Sequence, residues 1–359
     1  MTSMVETGSA RPSVAAITFV PKLLGRLGDD RPDTRFSMTI AWVGLGCFLI
    51  VDTIWLSLSR LSFSSASWTD IFRLLLSSFV TLLLCGLISN RLMGNPDRIA
   101  GPLRDFVQRI ALLATASLVL GLLGAALIVF CYLGTGAALP LQDALLAAID
   151  RRLGFDWVGF VKFVNSSSTV SCALVMAYQS TGYLMLGTVA WLAISGQDIR
   201  LAEFLALSSL TSLGIAIGMM ILPAAGAYSY YQPAHGIFSN FSHNAGMWHY
   251  QLLMSLRTVA APAIDFATPY SNCLVTFPSG HTILAVIITY ALRGSRWTLG
   301  PALLINVTTV VSTIPEGGHH FSDLIVGGLI AGCAIAIVRI PHRAHRNLLS
   351  MANGSLAGA

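Results

Sequence analysis

The chain has 359 residues, of which 55% are hydrophobic and only 10% charged, against about 25% charged in a soluble domain. Several uninterrupted apolar runs approach or exceed the ~20 residues that cross a bilayer as helix, which excludes a soluble protein. The runs do not alternate, which argues against a closed barrel. The net charge of +5 is spread between the runs in the manner of membrane topology and is not gathered for nucleic acid.

The expected fold class is all-α, a polytopic membrane helical bundle of about eight transmembrane helices. Residues 1–36 are polar and form a cytoplasmic segment; no short apolar core with a small-residue cleavage site opens the chain, so no cleavable signal is expected. Spans are expected at roughly 37–59, 71–91, 110–134, 168–195, 204–228, 279–293, 298–315 and 320–340. The first two, within 37–109, stand ahead of a core at 110–340, and 341–359 is a basic cytoplasmic tail. Arg35, Arg91, Arg98, Arg104, Arg109, Arg200, Arg293, Arg296, Arg339, Arg343 and Arg346 all fall on one side of this arrangement. That side is cytoplasmic by the positive-inside rule and holds both termini. The other side keeps Arg60, Arg151, Arg152, Lys162 and Arg257.

Two outer segments interrupt the spans. Leu141 to about Asn165 is amphipathic and too charged to cross, so it is expected in the interface plane with Trp157 and Phe160 at headgroup depth. The stretch from about Tyr228 to Phe277 is the longest loop and carries Tyr228, Tyr230, Tyr231, His235, His243, Trp248, His249, Tyr250 and Arg257. Its tyrosines are expected to form an interfacial aromatic belt. Asp52 and Arg73 fall inside spans, where charge is expensive; both should face protein in structural pairing roles. The six cysteines show no metal-ligand spacing and are expected as buried small hydrophobes.

The chemistry gathers in two stretches. Phe277-Pro278-Ser279-Gly280-His281 opens one apolar run, and His319-His320-Phe321-Ser322-Asp323 opens another. Two short runs lie between the histidines, enough for one crossing and one return, so both should start helices at the same outer face. His319 and Asp323, four apart at a helix start, share a side. A carboxylate there fixes the imidazole tautomer and leaves the other nitrogen's lone pair free, which is the base-orienter logic of a triad applied to a nucleophilic histidine. Pro278 and Ser279 look like helix-start residues, so the backbone N–H groups of Gly280, His281 and Thr282 would meet a phosphate at the positive end of a helix. Gly280 lets the backbone approach closely. Carboxylates are too few and too scattered for magnesium, and no metal or other cofactor is expected.

These motifs resemble the second and third signatures of the type-2 phosphatidic acid phosphatase superfamily: Pro-Ser-Gly-His, and Ser-Arg, five residues, His, three residues, Asp. The resemblance implies a six-helix core matching spans three to eight. It implies His319 as the nucleophile that forms a phosphohistidine, His281 as the acid that protonates the leaving alkoxide, and Asp323 as the orienter. It further implies a lipid phosphatase or phosphotransferase at the outer face of the inner or plasma membrane. Its partners would be a phosphorylated lipid, membrane lipids and an alcohol or polyol acceptor. Two features depart from the family. Its first signature, Lys, six residues, Arg-Pro, is absent; Arg257 is the nearest candidate, with Tyr250 at the Lys position. The Arg of the third signature is Thr313. The substrate phosphate is then expected to rest on Arg257, Ser279, Gly280, His320 and His249. The Thr and the segment from Asp143 to Gly154 are similar to the branch that includes fungal inositol phosphorylceramide synthase, although that branch carries Leu where this chain has Gly280. The competing reading is a non-catalytic lipid-binding or transport protein on the same fold.

Overall fold

A computed structural model of the chain describes residues 32–93, 100–233, 238–258, 263–266 and 274–340. His235, Cys273, Arg98, Arg343, Arg346 and the segment 1–31 lie outside the described residues. Helices occupy all eight predicted spans: α1 (Pro32–Leu58), α2 (Ser65–Met93), α3 (Ala100–Gly136), α6 (Ser168–Ile194), α7 (Asp198–Ile221), α10 (Gly280–Ala291), α11 (Arg296–Ser312) and α12 (Phe321–Val338). Shorter helices lie in the two segments between the third and fourth and between the fifth and sixth of these: α4 (Asp143–Arg152), α5 (Trp157–Asn165), α8 (Ala227–Tyr231) and α9 (Tyr250–Thr258). The molecule is an all-α integral membrane protein of bundle type.

By length and composition, α1, α2, α3, α7 and α12 each suffice to cross a bilayer, and α5 with α6 makes a sixth span if that bent pair is counted as one. α10 has 12 residues, about 18 Å of helix, well short of a ~30 Å hydrocarbon core. α3 begins ten residues earlier than the apolar pattern suggested. Arg104, Asp105 and Arg109 end the apolar run but do not end the helix, because arginine is a good helix former and a single aspartate costs little.

α7 is the hub. It packs against α1, α3, α6, α10 and α12, and Leu201 through Leu207 are buried all round the helix, as a helix apolar on every side must be. Its one acid in that stretch, Glu203, is buried and paired with the Arg293 guanidinium. α1 approaches α7 closely at Gly44, where a Cβ would fall 1.9 Å from Ser209 Oγ. α2 is the outermost helix, packed on α3, with Trp68, Phe72 and Phe79 exposed on its free side.

At one end of the bundle, β1 (Ser62–Phe63) pairs in parallel with β2 (Ala263–Ile264). The Ser67 hydroxyl donates to the Ile264 carbonyl at 3.1 Å and accepts from the Phe266 amide at 2.9 Å. The connector between the two N-terminal helices is thereby sewn to the long segment between α7 and α10.

Three expectations change. α5 meets α6 at 109°, yet Trp157 is only 1% exposed: its indole N–H has a buried carbonyl partner, which outweighs the interface. Arg73 pairs with Asp70 on the exposed side of α2 at 3.5 Å, whereas Asp52 is 6% exposed and neither carboxylate oxygen has a hydrogen-bond partner. Cys85 and Cys131 are buried, but Cys47, Cys172 and Cys333 are exposed on their helices, since a small apolar residue is as content in lipid as in a core.

Candidate functional site

The two motifs meet at one end of the bundle. Ser279 caps α10, its hydroxyl oxygen accepting from the Thr282 amide at 3.4 Å and from the Thr282 hydroxyl at 3.0 Å. The Phe277–Pro278 peptide just before it is cis. His319 lies across from this cap. Its Nδ1–H donates to Asp323 Oδ2 at 3.2 Å, and its Nε2 faces the Ser279 hydroxyl at 3.5 Å. The four-residue spacing thus places carboxylate and imidazole together, and the unprotonated nitrogen points away from the carboxylate. His319 is 6% exposed and Asp323 0%.

His281 sits one residue into α10 with its ring stacked on Tyr178 of α6, centroids 4.1 Å apart and planes 20° from parallel. The Tyr178 and His319 ring edges both flank Gly317: a Cβ there would come within 2.9 Å of each. Tyr178 therefore links the two histidines' surroundings.

The loop carrying His319 is held from several sides. The Trp157 indole donates to the His319 carbonyl at 3.0 Å, and the His319 amide donates to the Thr313 carbonyl at 3.2 Å. The Tyr228 hydroxyl donates to the Pro315 carbonyl. Gly246 N–H donates to the Glu316 carbonyl at 2.7 Å, and Ala227 N–H to the Gly318 carbonyl at 2.8 Å. Gly246 and Gly318 both have positive φ, at 66° and 70°. They cross so closely that a Cβ on Gly318 would lie 2.6 Å from the Gly246 Cα; only glycine meets both demands.

Two acids of α4 complete the surroundings. Asp143 accepts the Ala225 and Gly226 amides at 3.0 and 2.8 Å. Asp150 accepts the Phe321 and Ser322 amides, both at 2.8 Å, at the start of α12. Between them lies the His320 ring, with Nε2 at 3.4 Å from Asp143 and Nδ1 at 3.6 Å from Asp150. Burial alone would lower the His320 pKa, but the hydrogen bond to Asp143 and the adjacent Asp150 carboxylate reverse this and hold it up at about 9. The same contacts, with those from Ser322 and Phe321, overcome burial and lower Asp150.

The expected phosphate ligands are placed unequally. Ser279 and Gly280 stand directly before His319. His249 is buried, its Nε2–H donating to the Ala225 carbonyl at 2.9 Å, and burial pushes it down to about 4. His320 is occupied by its two carboxylates. Arg257 turns to the Ala138 carbonyl beyond the end of α3, at 3.4 Å, and not to the histidine pair. Thr313, where the resembling motif has Arg, is fully buried and donates to the Val310 carbonyl of its own helix.

Asp143, Asp150, Trp157 and Tyr178 were not among the expected site residues. One signal was available: Asp143, Leu146, Ala147 and Asp150 fall at i, i+3, i+4 and i+7, so the acids share the face that the apolar residues bury. Arg151 and Arg152 are exposed on the other side.

No curated protein and no solved structure matches the chain. A family model, described as the PAP2 superfamily, matches residues 144–337. The match begins inside α4, ends within the last turn of α12 and takes in both histidine motifs with every helix that positions them. Spanning more than half of the sequence, it shows that the chain belongs to the PAP2 superfamily.

Proposed function

We propose that the protein is a membrane enzyme that moves a phosphoryl group from a phosphorylated lipid through a covalent His319 intermediate. One observation carries the reading: His319 has one nitrogen held by Asp323 and the other aimed at the capped start of α10. In the first half-reaction the Nε2 lone pair attacks phosphorus, the ester P–O bond breaks, and His281 gives its proton to the leaving alkoxide. In the second, His281 takes a proton from water or an alcohol, that oxygen attacks phosphorus, and the P–N bond breaks to restore His319. The Ser279 hydroxyl and the first amides of α10 hold the phosphoryl oxygens at the helix's positive end. In this reading phosphorus enters between Ser279 and Nε2, now 3.5 Å apart, displacing the hydroxyl onto a phosphoryl oxygen. His249, neutral at pH 7, donates no fixed charge there.

The family membership and the start of both motifs at one end of the bundle support placing this site on the outer face of the inner or plasma membrane, with both termini cytoplasmic. Hydrolysis and transfer share the first half-reaction; the acceptor decides between them. The test is purified protein incubated with a panel of lipid phosphates, with and without polyols, and with acid-labile phosphoprotein trapped. His319→Ala should lose both turnover and the trapped adduct. His281→Ala should slow adduct formation and breakdown by about 10²–10⁴-fold. Full activity in His319→Ala would sink the mechanism.

A further inference from the structure

We infer that Asp143, His320 and Asp150 form a buried charged clamp that positions His319 and Asp323, with His320 a positioning residue and not a phosphate ligand. The inference rests on reading His319 as the nucleophile.

The two helix starts at this site are used differently. At α12, the His320 amide goes to Asp323 Oδ2 at 3.0 Å, and the Phe321 and Ser322 amides go to the two oxygens of Asp150. These are the orphan donors that a helix start would otherwise offer to an anion, and side-chain carboxylates have taken all three. At α10, the cap is a neutral serine. A substrate phosphate is therefore received at α10, while α12 is closed by protein acids and serves as the frame that carries His319.

That frame needs a cation. Asp143 and Asp150 lie about two turns apart on one face of α4, and both are buried. Two buried carboxylates facing one ring would repel each other without a positive group between them. His320, 0% exposed, supplies it, with one ring nitrogen toward each acid. Asp143 carries the linkage onward through the Ala225 and Gly226 amides, and Ala225 in turn accepts from His249. α4, the loop after α7, and the start of α12 are thus one bonded unit. His320 is also chain neighbour to His319 and N-cap to the helix whose third residue is Asp323. A shift of the His320 ring moves nucleophile and orienter together.

The groups facing His320 are Asp143 and Asp150 from α4, Asp323 from α12, and the Tyr230 and Tyr231 rings of α8, at 6.4 and 6.3 Å. Arg151 stands beside those two tyrosines. The folded pKa of about 9 lies above the ordinary 6.5. Stability from the clamp is therefore complete below about pH 6.5 and is lost as pH rises toward 9.

The experiment uses full-length protein in detergent, with dioctanoyl phosphatidic acid as substrate and unfolding temperature followed from pH 6 to 10. His320→Gln and Asp150→Asn should each lower kcat by about tenfold or more with KM changed less than about twofold, and the double variant should be no worse than the poorer single one. His320→Gln should also lose the wild-type fall in unfolding temperature between about pH 6.5 and 9. A raised KM with normal kcat would make His320 a phosphate ligand and overturn the clamp. Additive losses, or an unchanged alkaline slope in His320→Gln, would overturn it as well. If those variants do not fold, Asp143→Asn is measured in the same way; wild-type kcat and an unchanged alkaline slope there overturn the proposal. The unfolding arm needs no turnover. It decides the clamp even where wild type leaves phosphatidic acid untouched and traps no phosphoprotein, which is the failure of the His319 reading.

Discussion

A Trp157→Phe exchange keeps an aromatic ring in the same pocket and removes one N–H. It leaves the buried His319 carbonyl without its donor, at a cost of about 1–3 kcal/mol, so unfolding temperature should drop and turnover fall with it. Unchanged unfolding would mean that another donor replaces the indole. His249 offers a test of opposite sign to His320. Burial depresses its pKa from 6.5 to about 4, so the unfolded chain binds a proton there before the folded one does. Its contribution to stability is complete above about pH 6.5 and is lost as pH falls toward 4. His249→Gln should flatten that acid slope in a pH series of unfolding temperatures. At this scale His281, His319 and Asp323 were legible because their relations are local: a helix start, a four-residue step, one hairpin between them. Trp157 and Tyr178 were not. Trp157 finds its partner 162 residues away, and Tyr178 meets His281 only once separate helices have packed.

Helices themselves were easy to read and their roles less so. Apolar runs, two of them short, announced eight helices. The pattern erred where a helix outruns its apolar stretch, as α3 does, and where a segment of intermediate polarity serves the interior. α4 was expected on the membrane surface because its charge forbids crossing. Its exposed arginines fit that view, while its two acids face inward to pair with amides and imidazole. Charge count alone cannot separate those faces; spacing can. Loop glycines show the same divide between motif and context. Gly280 belongs to a signature, yet a Cβ there would meet nothing nearer than Ile215 Cδ1 at 3.9 Å. Gly318 lies outside the signature residues, holds φ at 70° and touches Gly246. Gly280→Ala should leave unfolding temperature within a degree or two of wild type. Gly318→Ala pairs a strained φ with a backbone clash, should cost well over 1 kcal/mol, and should reduce the yield of folded protein. Equal behaviour of the two would contradict this packing.

Across the whole molecule, α7 and α3 join the two N-terminal helices to the rest of the bundle: α1 packs on both, and α2 on α3. Asp52 of α1 is buried, and neither oxygen of its carboxylate has a hydrogen bond. Replacing an unpaired buried acid by an apolar side chain of similar size removes a desolvation cost. Asp52→Leu should therefore raise unfolding temperature with turnover unchanged; a loss of turnover would show that the acid takes part in the reaction cycle. The parallel strand pair has a consequence in time. Ser67 and its Ile264 partner are 197 residues apart. At ~5–20 residues per second of synthesis, the first hairpin waits about 10–40 s for the strand that completes it, and its unpaired edge is open to other chains throughout. That edge consequently stays incomplete until β2 is made, and newly made protein passes through a stage in which every helix up to α7 is present while α10 and α12, which the two histidine motifs open, are still to come.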